Sequence, residues 1–335
     1  MEILMPTLQN EARKLVRRSK LYVPVNREKF VTTAWTRGAD CIIIDLEDSV
    51  APADKDSARK MVKDAIPLVS KGGADVQIRF NRGLEEEDLE ECVRPKVACL
   101  MIPKCESAGE IQWIDDLVAQ LEKDRGLPIG MIQFHLIIES ALGLIRMAEI
   151  AMASPRNVQI NVGHGDLSVD MGFSRFAELD YEQYYYAESK LLVAARAANI
   201  QATGLGAQKG VDFTNIASRT EEILKACRNA QAMGYFGTSC VHPAWVKPIN
   251  EGFKPADAEV AWARKVKEAL EEAYCQGKGS VKVDGQMYDV AHWKQAGNIL
   301  ERAERIAERE AEKAAALESA GCINPSSEPR NFLSR

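Results

Sequence analysis

The sequence predicts an α/β fold, a closed (β/α)₈ TIM barrel with a C-terminal helical extension. Eight short apolar, strand-like runs alternate with helix-period segments along residues 1–253. Runs that are apolar on both faces are typical of a parallel sheet covered by helices, and eight such units match a closed barrel. A doubly wound open sheet is the alternative, but no GxGxxG follows the first strand, where that fold usually carries it.

The predicted strands and helices follow one another at regular spacing. The strand-like runs are 20–23, 41–44, 76–78, 98–102, 136–138, 158–162, 200–203 and 237–241. The helix-period segments lie near 28–38, 55–69, 85–92, 106–122, 141–153, 181–199 and 214–233, with another after 243. Because each helix returns the chain to the same edge of the sheet, the carboxyl ends of the strands should meet there.

The pattern changes near residue 253, and three regions are expected. Residues 1–253 form the barrel with a short lead-in, and 254–320 form a helical arm. That arm contains helices at 255–274 and 291–319 and a turn or short hairpin at 277–285. Residues 321–335 have little periodicity and are expected to be a flexible tail. The arm either packs on a neighbouring subunit or covers the base of its own barrel.

Composition excludes several classes of protein. With 335 residues, 46% hydrophobic and 27% charged, the chain can bury a large core. Lys+Arg 43 against Asp+Glu 49 gives −6, which offers no basic field for a nucleic acid. The eight cysteines contain no CxxC pair and the four histidines have no zinc-ligand spacing, which indicates reduced thiols and a cytoplasmic protein. No membrane span or signal peptide is expected, because no apolar run is long enough.

Two carboxylates follow neighbouring strands and predict a metal site. The apolar runs 135–138 and 158–162 end at Glu139 and at Gly163–Asp166, and a helix-period segment joins them. Adjacent strands lie about 5 Å apart, so Glu139 and Asp166 should be able to share one hard cation. Two carboxylates and several waters suit Mg²⁺. The alternative is that both acids only favour the start of a following helix.

Charged residues also follow strands 2, 3 and 4. Glu47 and Asp48 would hydrogen-bond to metal-bound waters, or would only keep a surface loop soluble. Arg79 would grip a carboxylate or an enolate oxygen, or form a structural ion pair with Asp45 or Glu47. Lys104 would contact substrate or reach solvent. Glycines at 204, 206 and 210 would admit a phosphate, or serve the turn after strand 7.

Several motifs give the chain a family resemblance. They are Arg18–Pro24, Gly38-Ala39-Asp40 before Ile44–Pro52, Lys55 with Ala58-Arg59, Ile102–Ser107, Ile138–Gly143, Gly163–Gly172, Ala194–Ala198 and Val241–Pro243. In this order they resemble the citrate lyase β-subunit-like lyases of the HpcH/HpaI aldolase/citrate lyase family, over roughly 18–290. The resemblance implies a Mg²⁺-dependent barrel enzyme that cleaves or forms C–C bonds in acyl thioesters such as malyl-CoA, citramalyl-CoA or citryl thioesters.

The resemblance also implies roles for individual residues. Glu139 and Asp166 would be metal ligands, and Arg79 would bind substrate and stabilise an enolate. Glu47 and Asp48 would support the metal's water ligands. The residues implied to bind substrate or coenzyme A (CoA) are Arg18 near the thioester arm, Lys55 and Arg59 near the CoA phosphates, and Lys104. The sequence Gly285–Asp289 matches a GxMxD pattern whose aspartate completes a neighbour's site, which implies a homo-oligomer, a trimer or hexamer, and a role for Asp289 in proton transfer.

The chain departs from the family pattern in three places. Thr238 stands where a lysine is common, two residues before Cys240, and Trp245 stands where glutamine is usual. The segment Ala202–Gly206 lacks the usual Asp-Gly-x-Tyr pattern. These departures concern the acyl portion of the substrate and its carrier.

Three functions are compatible with these residues. The first is a lyase acting on a 3-hydroxyacyl-CoA thioester through a thioester enolate. The second is a malyl-CoA-type thioesterase or a keto-acid aldolase that does not use CoA. The third is a non-catalytic binding or assembly subunit, against which the presence of Glu47, Arg79, Glu139 and Asp166 argues.

Overall fold

The structure is a computed structural model that describes residues 12–174, 182–208 and 219–321. Contacts divide the chain into two compact units, one of Met1–Phe253 with Lys313–Arg335 and one of Lys254–Glu312. Most of the predicted lead-in, Gly210 in the predicted glycine-rich loop and the predicted tail beyond Gly321 lie outside the described residues.

Eight parallel strands form the barrel of the first unit. They are β1 (Ser19–Pro24), β2 (Cys41–Asp45), β3 (Asp75–Arg79), β4 (Val97–Ile102), β5 (Gln133–Ile138), β6 (Asn157–Val162), β7 (Gln201–Ala202) and β8 (Thr238–Cys240). From β1 to β7 each strand pairs with the next, and β1 also pairs with β8. Phe236 N donates to Ala202 O at 3.0 Å and Gly204 N to Gly237 O at 2.8 Å, which joins β7 to β8. The predicted barrel is therefore confirmed, and the open sheet is wrong.

Helices follow the strands and cover the outside of the barrel. They are α1 (Glu28–Thr33), α2 (Lys55–Val69), α3 (Glu85–Cys92), α4 (Ala108–Asp124), α5 (Ala141–Ala151), α6 (His164–Asp170), α7 (Tyr185–Ala197), α8 (Thr220–Met233) and α9 (Val246–Gly252). Ser107 and Ser140 begin α4 and α5, and each side chain accepts a hydrogen bond from the backbone N–H three residues later. Such caps satisfy N–H groups that have no partner within the helix.

Alternate residues of the strands face either the helices or the barrel interior. On β2, Ile42 and Ile44 belong to the core under the helices, whereas Ile43 packs inside the barrel with Tyr22, Met101 and Ile137. This period of two puts every second side chain on one face. The last inward positions of β2 and β3, Asp45 and Arg79, pair in register at the end of the barrel where the strands end.

Deeper in the barrel, the interior is polar and held by hydrogen bonds between glutamines. Gln77 Nε2 donates to Gln159 Oε1 at 3.3 Å, and Gln159 Nε2 donates to Gln201 Oε1 at 3.0 Å. Gln201 Nε2 donates to the backbone oxygen of Leu15 at 2.8 Å, so the segment before β1 closes this end. Buried amides that are paired in this way fix side-chain positions.

Arg18 lies at this closed end. It precedes β1, is fully buried, and its Nε donates to Asp40 Oδ2 at 2.8 Å. Lys313, near the end of the last helix, donates through Nζ to the other oxygen of Asp40 at 2.5 Å. Although burial alone would raise it, the bonds from these two cations lower the pKa of Asp40 to about 2. The ion pairs therefore tie the segment before β1, the segment before β2 and the end of the last helix together.

The second unit contains a helix, a hairpin and most of the last helix. The elements are α10 (Asp257–Cys275), β9 (Val281–Val283), β10 (Gln286–Tyr288) and α11 (Val290–Gly321), of which the residues from Lys313 onward belong to the first unit. Val266, Leu270, Val283 and Tyr288 form its small core. Asp284 and Gly285, both with positive φ, connect the strands, which is typical of a tight two-residue hairpin turn.

The sequence predicts no membrane-spanning segment and predicts reduced thiols. Among the described residues, no helix is both long enough and apolar enough to cross a membrane. The seven cysteines in the described part of the chain are free thiols, and six of them are buried.

Replacing Asp40 with Asn should destabilise the barrel. The substitution removes the buried negative charge that pairs with Arg18 and Lys313, and breaking a buried ion pair costs roughly 3–5 kcal/mol. We expect the free energy of unfolding of Asp40→Asn, measured by urea titration with far-UV circular dichroism, to fall by about 3 kcal/mol or more.

Glu222→Gln is the control for this prediction. Glu222 forms an exposed pair with Arg219 on the barrel surface at 3.2 Å, and such pairs contribute at most about 1 kcal/mol. Equal destabilisation by the two substitutions would show that the Asp40 pairs do not hold this end of the barrel.

Candidate active site at the barrel mouth

Arg79 is the central cation at the open end of the barrel. Its Nε and Nη2 donate to the two carboxylate oxygens of Asp45 at 2.7 and 2.8 Å. Its Nη1 lies 2.9 Å from Glu47 Oε2 and 3.3 Å from Asp48 Oδ2. Burial alone would lower the pKa of Arg79, but these carboxylates raise it above its ordinary value. The ion pair with Asp45 and Glu47, one of the two alternatives from sequence, is therefore present, and the substrate-binding role of Arg79 stays a prediction.

The aromatic ring of Tyr22 packs against the guanidinium of Arg79. The guanidinium carbon lies 4.7 Å from the centre of the Tyr22 ring, a cation–π distance. The Tyr22 hydroxyl donates to the sulfur of Met101 at 3.2 Å, and burial raises the pKa of this tyrosine. The aromatic ring and three carboxylates fix the plane of Arg79, as a site that recognises a planar anionic group requires.

Lys104 connects the carboxylates of different strands. Its Nζ lies 2.6 Å from Glu47 Oε1 and 3.4 Å from Asp166 Oδ2. Its backbone has a φ of 50°, in the left-handed region that non-glycine residues rarely adopt. Burial would lower the pKa of Lys104, but the bond to Glu47 raises it. The strained backbone allows residue 104 to contribute both its N–H and its ammonium group to the mouth.

Glu139 is buried beside the Lys104 backbone and β6. Its Oε2 accepts a hydrogen bond from Lys104 N at 2.9 Å. A Cβ atom at Gly163 would lie 2.3 Å from Glu139 Oε1, so glycine is required there. Burial, together with the charges of Glu47 and Asp166, raises the pKa of Glu139 to about 7. Glu139 and Asp166 therefore face the same region, and ionising both in that region is unfavourable without a cation.

Three carboxylates thus surround one region at the mouth. Asp166, in the first turn of α6, is half exposed, whereas Glu47 and Glu139 are buried. Burial raises the pKa of Glu47 as well. Within the described residues, no three His, Cys, Asp or Glu side chains are already arranged as metal ligands. The oxygen donors and the unfavourable concentration of negative charge nevertheless fit a hard divalent cation bound by Glu139 and Asp166, with waters in its other positions.

Lys55 and Arg59 lie on α2, after the strand 2 loop. Lys55 Nζ donates to the backbone oxygens of Leu46 and Glu47 at 2.7 and 2.5 Å, so it holds the loop that carries Glu47. Burial lowers the pKa of Lys55. Arg59 Nε donates to Asp88 at 2.9 Å and its Nη1 to Asp56 at 2.8 Å.

The predicted site residue Arg18 is not brought to this mouth, and the predicted site residue Asp289 belongs to the other unit. Arg18 lies at the closed end on Asp40, so the expectation that it approaches the thioester is corrected: a fully buried arginine with a buried carboxylate partner has a structural role. Asp289 lies in the second unit, where its Oδ1 is 2.8 Å from His292 Nδ1. Bonds from His292 and the Ala291 N–H lower the pKa of Asp289, and its catalytic role stays a prediction.

Sequence reasoning missed a second polar group at the mouth. His164 Nε2 lies 2.6 Å from Glu188 Oε1, and the Tyr235 hydroxyl donates to Glu188 Oε2 at 2.5 Å. His164 stood within the predicted strand 6 end, but its partner comes from α7, 24 residues further along the chain, and no spacing rule connects them. Tyr22 was also missed, although the period of two on β1 places it inside the barrel.

Comparisons with known proteins agree with this architecture. Residues 18–243 match the HpcH/HpaI aldolase/citrate lyase family. The citrate lyase subunit beta of Leuconostoc mesenteroides subsp. cremoris is 34% identical over 278 residues, which cover 82% of this chain and 89% of that protein. The mitochondrial citramalyl-CoA lyase of Rattus norvegicus is 31% identical over 309 residues, 88% of each protein.

A solved structure gives the same result at the level of the fold. Protein CitE from Mycobacterium tuberculosis, crystallised in complex with magnesium, acetoacetate and coenzyme A, is similar with a TM-score of 0.67 and 26% sequence identity. The match covers 87% of this chain and 99% of that chain. This chain belongs to the HpcH/HpaI aldolase/citrate lyase family and is an enzyme of the carbon–carbon lyase type.

Proposed function

We propose that this chain is a Mg²⁺-dependent lyase that cleaves or forms the C–C bond of a 3-hydroxyacyl-CoA thioester such as malyl-CoA, citramalyl-CoA or citryl-CoA. The observation that carries the proposal is the position of Arg79, a fixed guanidinium 2.9 Å from Glu47 at the barrel mouth. Lys104 connects this Glu47 to Asp166, and the charge of Glu47 acts on Glu139. Relatives named citrate lyase subunit beta and citramalyl-CoA lyase, and a structural neighbour with magnesium and coenzyme A bound, support this choice of substrate and cofactor.

The acid half of the substrate would bind on the side of Glu139 and Asp166. These two carboxylates would hold the Mg²⁺, and Glu47 and Asp48 would orient its waters. When bound, Mg²⁺ supplies positive charge that binds the carboxylate and hydroxyl oxygens of the substrate and favours loss of the hydroxyl proton. Lys104, which already bonds Glu47, would keep that carboxylate in place.

The thioester half would bind on the side of Arg79. When the C–C bond breaks, its electron pair moves onto the thioester, which becomes an enolate, while the other fragment leaves as a 2-oxo acid. Arg79, fixed by Asp45 and Tyr22, would stabilise the enolate oxygen without reorganising. Asp289 of a neighbouring subunit in a homo-oligomer is our candidate for proton transfer to the enolate carbon, and Lys55 and Arg59 for contact with the CoA phosphates.

The function is tested with a panel of hydroxyacyl-CoA thioesters. Malyl-, citramalyl- and citryl-CoA are incubated with the full chain, with and without Mg²⁺, and products are identified by mass spectrometry. We expect a 2-oxo acid and acetyl-CoA in equal amounts, only when Mg²⁺ is present. Free CoA with an intact hydroxy acid would indicate a thioesterase, and no product from any thioester, with no Mg²⁺ binding, would indicate a non-catalytic subunit.

Replacing Glu139 with Ala should abolish Mg²⁺-dependent cleavage. The substitution removes one of the two carboxylates that would hold the metal. We expect isothermal titration calorimetry to show Mg²⁺ affinity reduced by at least about 100-fold, because loss of a group that only supports a ligand already costs up to about 100-fold. Glu149→Gln, on the outer face of α5, is the matched control. Full activity of the Glu139→Ala variant would end the metal assignment.

Replacing Arg79 with Lys should keep the positive charge but remove the planar guanidinium group. Lysine cannot bond both oxygens of Asp45 while also presenting donors to the substrate, so stabilisation of the enolate is lost. Steady-state kinetics should show kcat reduced by about 100-fold or more, with Mg²⁺ binding retained. A variant with normal kcat would remove Arg79 from the enolate site.

A further inference from the structure

A cavity lies within the barrel mouth, on the side of β6, β7 and β8. Its volume is about 340 Å³, within the range of small-molecule sites. Asn161, Thr203 and Ser239 contribute polar groups to its wall, and Leu205 and Trp245 contribute apolar ones. The cavity therefore has room for several heavy atoms and can bond a polar group.

This cavity adjoins the site described above. Tyr22 lines it and also lies under the guanidinium of Arg79. Asn161 is on β6, two residues before Gly163, where a Cβ atom would lie 2.3 Å from Glu139 Oε1. A substrate held between Glu139 and Arg79 would thus have the cavity beside the carbon that carries its hydroxyl group.

The wall carries the buried carboxylate of Glu188, which disfavours an anionic occupant. Among the described residues that line the cavity there is no lysine or arginine, and Glu188 places a carboxylate there. Glu188 is held in place by His164, whose Nε2 lies 2.6 Å from its Oε1, and by the hydroxyl of Tyr235, which donates to its Oε2. A second carboxylate on the substrate would be buried near the carboxylate of Glu188, which is unfavourable.

The departures from the family pattern coincide with this wall. Thr238, which replaces a common lysine, lines the cavity, as does Trp245, which replaces a usual glutamine. Thr203, Gly204, Leu205 and Gly206, where the Asp-Gly-x-Tyr pattern is missing, line it as well. Gly204 and Gly206 have φ of 136° and 70° and approach the Tyr235 ring, so this loop is shaped around the cavity.

We propose that this cavity binds an uncharged, hydroxyl-bearing substituent on the hydroxyl-carrying carbon of the substrate. The inference rests on the proposed function and names the class of 2-oxo acid that the enzyme releases or accepts, namely one with a hydroxyalkyl side chain. A hydroxyl group both donates and accepts hydrogen bonds, so it can satisfy the amide of Asn161 and the hydroxyl of Ser239. Its methylene group would pack on Trp245 and Leu205.

The smallest member of this class gives a balanced reaction. In the direction of synthesis, the methyl carbon of acetyl-CoA bonds to the carbonyl carbon of hydroxypyruvate, and the proton lost from the methyl group is balanced by one gained at the new hydroxyl. No electrons are exchanged with another reactant. The side chain of hydroxypyruvate, CH₂OH, is close in size to the ethyl group of 2-oxobutyrate and much smaller than the cavity.

The test compares four 2-oxo acids with the full chain in the presence of Mg²⁺. Binding of hydroxypyruvate, 2-oxobutyrate, pyruvate and oxaloacetate is measured by calorimetry, and adducts with acetyl-CoA are measured by mass spectrometry. We expect hydroxypyruvate to bind about tenfold more tightly than 2-oxobutyrate, the value of one buried hydrogen bond. Oxaloacetate should bind at least about tenfold more weakly than hydroxypyruvate, because its second carboxylate would lie near that of Glu188.

Two variants test whether the polar groups of the cavity wall bind the hydroxyl group of the substrate. Asn161→Leu keeps the size of the side chain and removes its polar group, so the preference for hydroxypyruvate over 2-oxobutyrate should fall to about one. Ser239→Ala, a smaller change that spares the fold, should reduce the preference in part, and Ser319→Ala on the exposed end of α11 should leave it unchanged. An unchanged preference in both wall variants would overturn the proposal.

The experiments distinguish failure of the cavity assignment from failure of the proposed lyase function. Equal affinity of the wild-type chain for hydroxypyruvate and 2-oxobutyrate, or tightest binding of oxaloacetate, would overturn the cavity assignment while adduct formation with pyruvate kept the lyase function. No adduct with any of the four acids would contradict the lyase function, and the calorimetric preferences would still decide what the cavity binds.

Discussion

The ion pair between Arg79 and Asp45 is the interaction on which the barrel mouth depends. A buried guanidinium needs a partner, and Asp45 supplies both oxygens from the neighbouring strand at 2.7 and 2.8 Å. Because β2 and β3 pair in register at these residues, the barrel itself sets the geometry. With Arg79 fixed, Glu47 is held beside it, and Lys104 then connects Glu47 to Asp166. Removing the first pair would loosen each of the others.

Buried charges are matched by opposite charges at the closed end of the barrel but only in part at its mouth. At the closed end, Asp40 is matched by Arg18 and Lys313, and its pKa is lowered because the ionised form is fully satisfied. At the mouth, burial and neighbouring carboxylates raise the pKa of Glu139 to about 7, because carboxylates outnumber the cations there. A satisfied cluster stabilises the fold, whereas an unbalanced one favours binding of a cation. The contrast explains why similar residues are structural at one end and suit catalysis at the other.

Much of this arrangement could be predicted from sequence, since it follows from periodicity. Strands of a parallel barrel end at one edge, so the residues after each strand, including Arg79, Glu139 and Asp166, had to approach one another. The same rule places Arg18, which precedes β1, at the opposite end, and the motif resemblance alone was misleading there. The left-handed backbone of Lys104 and the contact of Glu188 with His164 could not be predicted, because both depend on tertiary packing between distant segments. The role of Asp289 concerns another subunit and remains a prediction.

The central claim is that Glu139 and Asp166 together hold one divalent cation at the barrel mouth. The most direct measurement is a crystal structure of the full chain with Mn²⁺, whose anomalous scattering identifies the ion independently of water. The account predicts a single strong anomalous peak between the carboxylates of Glu139 and Asp166. No peak at saturating Mn²⁺, or a peak bound to neither carboxylate, would contradict it.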